Sequence, residues 1–453
     1  MTSVPTRFQP LPTSRLKWHL FRLLQRLASL RSRSSSRSRS NRPHNAVPEA
    51  QVSPQPALWV FASTIGELNA AGVYIDKLIR HSPGLQLVLL TDHAHYQEGF
   101  LLRFPSARIH VCSPDTDAAA RLAVGSPPRY LIVTEIPCLP GDAPCRFPVA
   151  YVFIARSLGA RLAIVNAWFY DGQPSCRMDA IEHDWFAADY LAAFDAIGAQ
   201  TEAVRQRLLN VGADPLRTAV TGNLKFDGLQ TRPSPAELAQ RSPLIASLLA
   251  TQRPVLVAGC VTSFEEQAMV LDAFARLLDR HPTSVLVIAP RHPELADRMT
   301  KLHEFLDERR INYCSRRALG DAPVDDAVAC LVLDTIGELR DFYAVATIAH
   351  VGVNHNALEP LSFDKPVTVI PGWLPSYASY PVYCLLMERQ CLHQVGSSTE
   401  MADRWAQLLD DPVRNRHDIA RVKASLQDCG GATDRNLALL LKSSLASTNQ
   451  VTH

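Results

Sequence analysis

The segment "FASTIGELNAAGVYIDKL", Phe61 to Leu78, begins as an apolar β-rich run and ends in a helical pattern, with one acid, Glu67, at the junction beside Ser63, Thr64 and Gly66. Open α/β proteins place their chemistry at such strand-to-helix transitions. A lone carboxylate there can remove a proton from a reacting hydroxyl, which is general-base work. A helix N-terminus favours the ionised carboxylate, so position alone predicts a lowered pKa and a weaker base, which cleft closure and desolvation would act to raise again.

Other polar residues fall in segments that follow apolar runs. In the first half they are Glu135 in "TE", Asn166 and Trp168 in "VNAW", and Lys225 in "VTGNLKFD". In the second half they are Arg291 and His292 in "APRHPE", Gly337 and Glu338 in "DTIGEL", and Asn356 and Glu359 in "NHNALEP". An arginine fork binds oxyanions in two places at once, which suits a phosphate or carboxylate. His292 can equally be a structural hydrogen-bonding group.

The elements that must position these residues are short apolar runs separated by stretches long enough for helices. "ALWVFA", "LQLVLLT", "ARIHVC", "YLIVTE" and "RLAIVNA" form one series; "PVLVAG", "SVLVIAP", "VACLVLD", "TIAHVG" and "PVTVIP" form a second. Such alternation is the pattern of a parallel sheet covered on both faces. The expected fold is α/β, with two doubly wound Rossmann-like domains facing each other across a cleft. At 453 residues the chain exceeds what one core usually holds. The expected boundaries are a basic segment at 1–48, a first domain at 49–228, a proline-punctuated linker at 229–253 and a second domain with terminal helices at 254–445. No GxGxxG or GxxxxGK[ST] motif is present, so neither a dinucleotide fingerprint nor a P-loop directs the reading to redox or NTPase chemistry.

Composition is ordinary for a globular protein, 47% hydrophobic and 20% charged. Charge is uneven, because residues 1–48 hold nine Arg and one Lys with no acid. Within them "RLKWHLFRLLQRLASLR" sets Leu16, Leu20, Leu23, Leu27 and Leu30 on one helical stripe, flanked by Arg15, Lys17, Arg22, Arg26 and Arg31. A helix of this kind lies in the headgroup region of an anionic membrane surface. A transit peptide and a nucleic-acid-binding tail share its composition, and the membrane surface is preferred over both, with no nucleic-acid partner expected. No apolar run reaches the ~20 residues that cross a bilayer. The ten cysteines form no CxxC pair and no Cys/His cluster, so reduced buried thiols are expected. "DTD" at Asp115 to Asp117 is read as a solvated helix start, and no metal site is expected.

Taken together and in order, "FASTIGELNAA", "VTGNLKFD", "APRHPE", "DTIGEL" and "HNALEP" resemble the Kdo transferases, which attach 3-deoxy-D-manno-octulosonic acid to the lipid A precursor. The resemblance spans roughly residues 57 to 425. It implies the two-domain GT-B glycosyltransferase fold, CMP-Kdo as donor substrate with no further cofactor, a glycolipid acceptor, and work as a peripheral protein on the cytoplasmic face of the bacterial inner membrane. An organelle is the alternative location if the N-terminus is a transit peptide. By the same resemblance Glu67 is the catalytic base, and Ser63, Glu135, Asn166 and Trp168 attend the acceptor. Lys225, Arg291, His292, Gly337, Glu338, Asn356 and Glu359 attend the donor. Asn356 is expected to cap a helix whose N-terminus holds the donor phosphate, with Glu359 one turn in accepting the ribose hydroxyls. Departures gather on the acceptor side: "TEIPCLPGD" and "NAWFYDGQPS" stand where the family reads "TELWPN" and "NARLSERS". These leave open a related transferase with a different acceptor, or a non-catalytic glycolipid-binding relative.

Overall fold

The computed structural model of the protein describes residues 15–35, 54–113, 116–135, 147–169, 177–230, 233–320, 322–375, 377 and 379–448. The basic stretch after Ser35, Asp115 and Tyr170 lie outside them. The chain divides into two compact units, Met1–Gly228 together with Cys429–His453, and Leu229–Asp428.

The first unit is built on seven parallel strands, β1 (Ala57–Phe61), β2 (Gln86–Thr91), β3 (Arg108–Val111), β4 (Pro128–Thr134), β5 (Arg161–Ala167), β6 (Ala196–Ala199) and β7 (Thr218–Val220). Their order is β3-β2-β1-β4-β5-β6-β7. All five residues of β1 are buried, as befits a strand covered on both faces. The order reverses between β1 and β4, and at this switch point Glu67 stands in the first turn of the helix after β1 and Glu135 directly follows β4.

The second unit repeats the design with β8 (Val255–Val261), β9 (Val285–Pro290), β10 (Tyr313–Ser315), β11 (Cys330–Val332), β12 (Ile348–Val351), β13 (Val367–Val369) and β14 (His393–Gln394). The order is β10-β11-β9-β8-β12-β13-β14, so the switch falls between β8 and β12. Cys260 lies at the end of β8 with Thr262 and Ser263 just after it, and the loop leaving β12 contains Gly352–Asn356.

Three elements differ from the sequence expectation. The 229–253 stretch is largely helical: Ser234 and Ser242 cap the helices Pro235–Arg241 and Pro243–Ala250, whose Leu238, Leu244, Ile245 and Leu248 are buried within the second unit. Proline at the first helical position starts each helix instead of breaking the chain. The last helix, Ala432–Thr448, was expected with the second domain, yet it packs on β5, β6 and the Ile65–His81 helix of the first unit. Asp227 accepts hydrogen bonds from the backbone N–H groups of Gly431 (2.6 Å) and Thr433 at its start, and Lys77 pairs with Asp434 at 2.6 Å.

The third difference concerns the basic helix, Arg15–Ser35. Its leucine stripe is exposed at Leu16, Leu20, Leu23 and Leu27, but Trp18 and Phe21 on the opposite side are buried among Phe153 and Phe186. Edge-to-face rings at 5.3–5.7 Å hold it there. Arg22 pairs with Asp117 at 2.7 Å, so one acid of "DTD" fastens this helix to the unit. Truncating a buried aromatic of this kind costs about 3–5 kcal/mol, which makes the helix part of the folded unit.

Candidate active site

In the first unit the site is assembled around Glu67. Thr64 ends the turn out of β1 in an extended conformation, and its hydroxyl accepts from the Glu67 N–H at 3.3 Å while donating to Glu67 Oε1 at 3.1 Å. The Ser63 N–H donates to Glu67 Oε2 at 2.8 Å. This is a capping arrangement that turns the carboxylate back over the start of its own helix. Ser63 itself donates to Asp92, at the end of β2, at 2.8 Å.

Glu135 follows β4 with φ +62, and Asn166 lies at the end of β5 with φ +59. Two neighbouring strands therefore hold non-glycine residues in the left-handed region, a strain that persists only where surrounding bonds enforce it. The Glu135 carbonyl accepts from the Trp168 N–H at 2.7 Å, and its N–H donates to Val165. Asn166 Oδ1 accepts from the Leu224 N–H at 2.9 Å, and Asn223 Oδ1 accepts from the Lys225 N–H at 2.9 Å. These two asparagines fix the start of the Leu224–Gln230 turn, so that Lys225 Nζ reaches Glu135 Oε1 at 3.1 Å. Lys225, expected to attend the donor, pairs within the first unit with Glu135, which was expected to attend the acceptor.

Glu67 and Glu135 are both buried, at 4% and 2% exposure, and share one neighbouring lysine. Burial, reinforced by the Glu135 charge, pushes the Glu67 carboxyl up to about 8, against the opposing pull of the Ser63 N–H, Thr64 and Lys225. Of the two opposed influences, the helix start and desolvation, desolvation dominates. A carboxyl that titrates near neutrality is a competent general base. Trp168 is half-buried against the core, and Phe169 is buried with the Arg207 guanidinium 4.1 Å above its ring.

In the second unit the switch-point loops touch closely. A side chain on Gly352 would overlap the Cys260 carbonyl, so glycine is required there by space. Thr262 donates to the Cys260 carbonyl or bonds His355 Nε2, each at 3.1 Å, and its own carbonyl accepts from Arg298 at 2.8 Å. Burial, with Arg291 and His292 nearby, pushes His355 down to about 4, so it is neutral at physiological pH. Burial and the Glu359 charge push the Cys260 thiol up to about 12, with Arg291 opposing. Arg291, His355, Cys260 and Glu359 thus share one electrostatic neighbourhood.

The remaining donor-side residues divide. The Glu359 carboxyl is raised by burial and lowered by Arg340. Asn356 was expected to cap the Leu358–Ser362 helix, but Ala357 holds the cap position without a side-chain bond; Asn356 Oδ1 instead accepts from the Leu358 N–H at 3.2 Å in the turn before it, and the helix has only five residues and so carries a modest dipole. His292, with φ +60, is exposed and turns to Glu294 at 3.0 Å. Gly337 has φ +98, a conformation that favours glycine. Next to it Glu338 accepts from Arg316 Nη2 and Nε at 2.8 and 3.1 Å and from the Thr335 hydroxyl. Asp92, Thr262 and His355 escaped sequence reasoning. Thr262 and His355 both carried a signal, the first by its place in "AGCVTSFEEQ" after an apolar run and the second by its place between two asparagines in a motif already singled out. Among the described residues no group of three or more His, Cys, Asp or Glu side chains is arranged to hold a metal ion.

Two parallel seven-stranded α/β sheets, each with polar residues gathered at its switch point, define the GT-B class. The structure of UDP-GlcNAc 2-epimerase from Neisseria meningitidis bound to UDP-GlcNAc shares this fold, with a TM-score of 0.55 at 15% identity over 85% of this chain and 100% of that one. Residues 25–228 match the family model described as 3-deoxy-D-manno-octulosonic-acid transferase (kdotransferase). The 3-deoxy-D-manno-octulosonic acid transferase of Haemophilus influenzae is 25% identical over 86% of this chain and 88% of its own length. That of Bordetella pertussis is 27% identical over 69% and 71%. The chain is similar to Kdo transferases along most of its length.

Proposed function

We propose that the protein transfers 3-deoxy-D-manno-octulosonic acid from CMP-Kdo to a lipid A precursor or related glycolipid. The observation that carries this reading is the buried Glu67, poised near neutral pH beside the Glu135–Lys225 pair. Glu67 takes the proton of the acceptor hydroxyl as its oxygen bonds to the anomeric carbon of the donor sugar. The bond from that carbon to the phosphate oxygen breaks, and CMP departs with the electron pair. CMP is a good leaving group and needs charge stabilisation more than protonation. Arg291 and the backbone N–H groups around Asn356 supply it without a metal ion, while Glu359 accepts from the ribose. Neutral His355 and Thr262 hold the loops that carry these groups.

The exposed leucine stripe, with Arg15, Lys17 and Arg26 exposed beside it, supports attachment to an anionic membrane surface. Among the described residues no helix is long and apolar enough to cross a membrane. We place the protein on the cytoplasmic face of the bacterial inner membrane. A second reading, the same donor with a different acceptor, draws support from Trp168 and Phe169, apolar residues where the family loop is polar.

Mass spectrometry of full-length protein incubated with CMP-Kdo and a panel of acceptors, with and without EDTA, tests the proposal. Lipid A precursor is expected to gain at least one Kdo residue in both conditions. No product with any acceptor overturns transfer, product only on another acceptor favours the second reading, and loss in EDTA restored by Mg²⁺ overturns the metal-free mechanism.

A further inference from the structure

β1 and β2 run side by side with Phe61 opposite Leu90, so two residues further along each chain Ser63 and Asp92 stand next to one another. Parallel pairing thus brings the "TDHAHY" segment after β2 against the turn that leads into the Glu67 helix. The meeting point is buried, with Ser63 1% exposed and the Asp92 side chain 11%. Ser63 is held there at three points. Its hydroxyl donates to Asp92 Oδ1 at 2.8 Å, its carbonyl accepts from the Thr91 hydroxyl at 3.4 Å, and its N–H donates to Glu67 Oε2 at 2.8 Å. The first two bonds come from the end of β2, and the third is delivered to the carboxylate. The segment that supplies them is itself braced. The His93 N–H donates to Thr91 Oγ1 at 3.2 Å, and the His93 ring lies 3.6 Å from Asp92 Oδ2. At the far end Gly99 backs onto Ile65, the first residue of the Glu67 helix, so closely that a side chain on Gly99 would overlap it.

We propose that Asp92 is a positioning residue for the transfer step, holding Ser63 so that its N–H fixes the Glu67 carboxylate in the orientation that receives the acceptor proton. The Ser63 N–H occupies one side of Oε2 and the Thr64 hydroxyl occupies Oε1, and together they set which lone pairs of the carboxylate face a substrate. A catalytic group has to be held within a fraction of an ångström of its productive geometry, and hydrogen bonds from the surrounding shell do that holding. With Asp92 gone, the Ser63 side chain loses its anchor, and the direction of its N–H is no longer set by β2. The inference rests on Glu67 as the base of the proposed transfer and deepens it, bringing in a residue from a third strand beside β1 and β4.

Steady-state Kdo transfer by the full-length chain carrying Asp92→Ala or Asp92→Asn, each alone and combined with Glu67→Gln, tests it. Asp92→Ala is expected to lower kcat roughly 10-fold or more while the acceptor KM stays within about twofold. Asp92→Asn, whose amide oxygen still accepts from the Ser63 hydroxyl, is expected to stay within about threefold of wild type. In the Glu67→Gln background Asp92→Ala is expected to cost less than about twofold more, because the group it positions no longer acts as a base. An equal loss in Asp92→Asn, a raised acceptor KM with kcat unchanged, or an undiminished further loss in Glu67→Gln overturns the assignment. If Asp92→Ala fails to fold, Ser63→Ala breaks the same bond from the other side and has to show the same dependence on Glu67.

A second readout needs no turnover. Burial and the Glu135 charge raise the Glu67 carboxyl against the Ser63 N–H, Thr64 and Lys225, and both Asp92 variants leave Glu135 and Lys225 in place. Denaturant melts across pH, each compared with the matching Glu67→Gln chain, are expected to place the Glu67-linked loss of stability at higher pH in Asp92→Ala than in Asp92→Asn, since only the first releases Ser63. Coincident curves overturn the positioning role. Absence of transfer by wild type removes the transferase reading and leaves the melts to decide Asp92. Full turnover in Glu67→Gln removes the base, whereas loss in Glu67→Gln with none in Asp92→Ala removes only the role of Asp92.

Discussion

Replacing Glu67 by glutamine separates its two roles, base and helix cap. Glutamine is close in shape to the protonated carboxyl, and its side-chain oxygen can still accept from the Ser63 N–H, so the fold is expected to survive. Turnover is expected to fall by ~10²-fold or more, the usual loss when a general base is removed. The pH dependence is the sharper test. With a carboxyl near 8, about a tenth of Glu67 is ionised at pH 7 and about nine tenths at pH 9, so the wild-type rate limited by this base rises nearly tenfold between them. Stability moves the other way. An acid whose folded pKa lies above its unfolded value binds more protons folded than unfolded throughout the interval between the two. Its stabilising contribution is therefore complete below about 4.5 and is lost as pH rises toward about 8. Each unit within that window costs about 1.4 kcal/mol, so Glu67→Gln should gain roughly 1–3 kcal/mol relative to wild type between pH 5 and 7. Steady-state rates and denaturant melts across pH measure both effects. A wild-type rate that is flat from pH 6 to 9, together with parallel stability curves, would refute a base raised by burial.

Gly352→Ala is expected to destabilise the second unit by about 1–3 kcal/mol or more, through overlap with the Cys260 carbonyl, and to weaken CMP binding because both switch-point loops must shift. Thermal melting with calorimetry reads both, and an unchanged melt and affinity would show that the loops yield freely. Intact protein is expected to bind anionic vesicles less tightly as salt rises, and replacing Leu16, Leu20, Leu23 and Leu27 by serine should abolish binding while the fold remains, since Trp18 and Phe21 stay in place. Equal binding by the serine variant in flotation assays would place attachment elsewhere.

The alternation of β-rich and helical segments was legible from residue 57 onward, because a strand buried on both faces needs a continuous apolar run whatever its neighbours are. Glu67 stood out for a local reason too: the turn from strand to helix offers a cap, and Ser63 and Thr64 accompany the acid that uses it. Leu16, Leu20, Leu23 and Leu27 were equally readable as a helical stripe. Strand order is not local, however, and it gave those residues their chemistry. Pairing β1 with β4 sets Glu135 near Glu67, and the asparagines at the end of β5 and after β7 aim Lys225 at Glu135. Burial among these partners reverses the effect of the helix start on the Glu67 carboxyl, because desolvation depends on everything packed around the group and a helix terminus acts only from its own end. The same reason kept Trp18 and Phe21 hidden in a basic helix and sent the last helix back to the first unit. Their burial is decided by surfaces that segments far away in sequence supply.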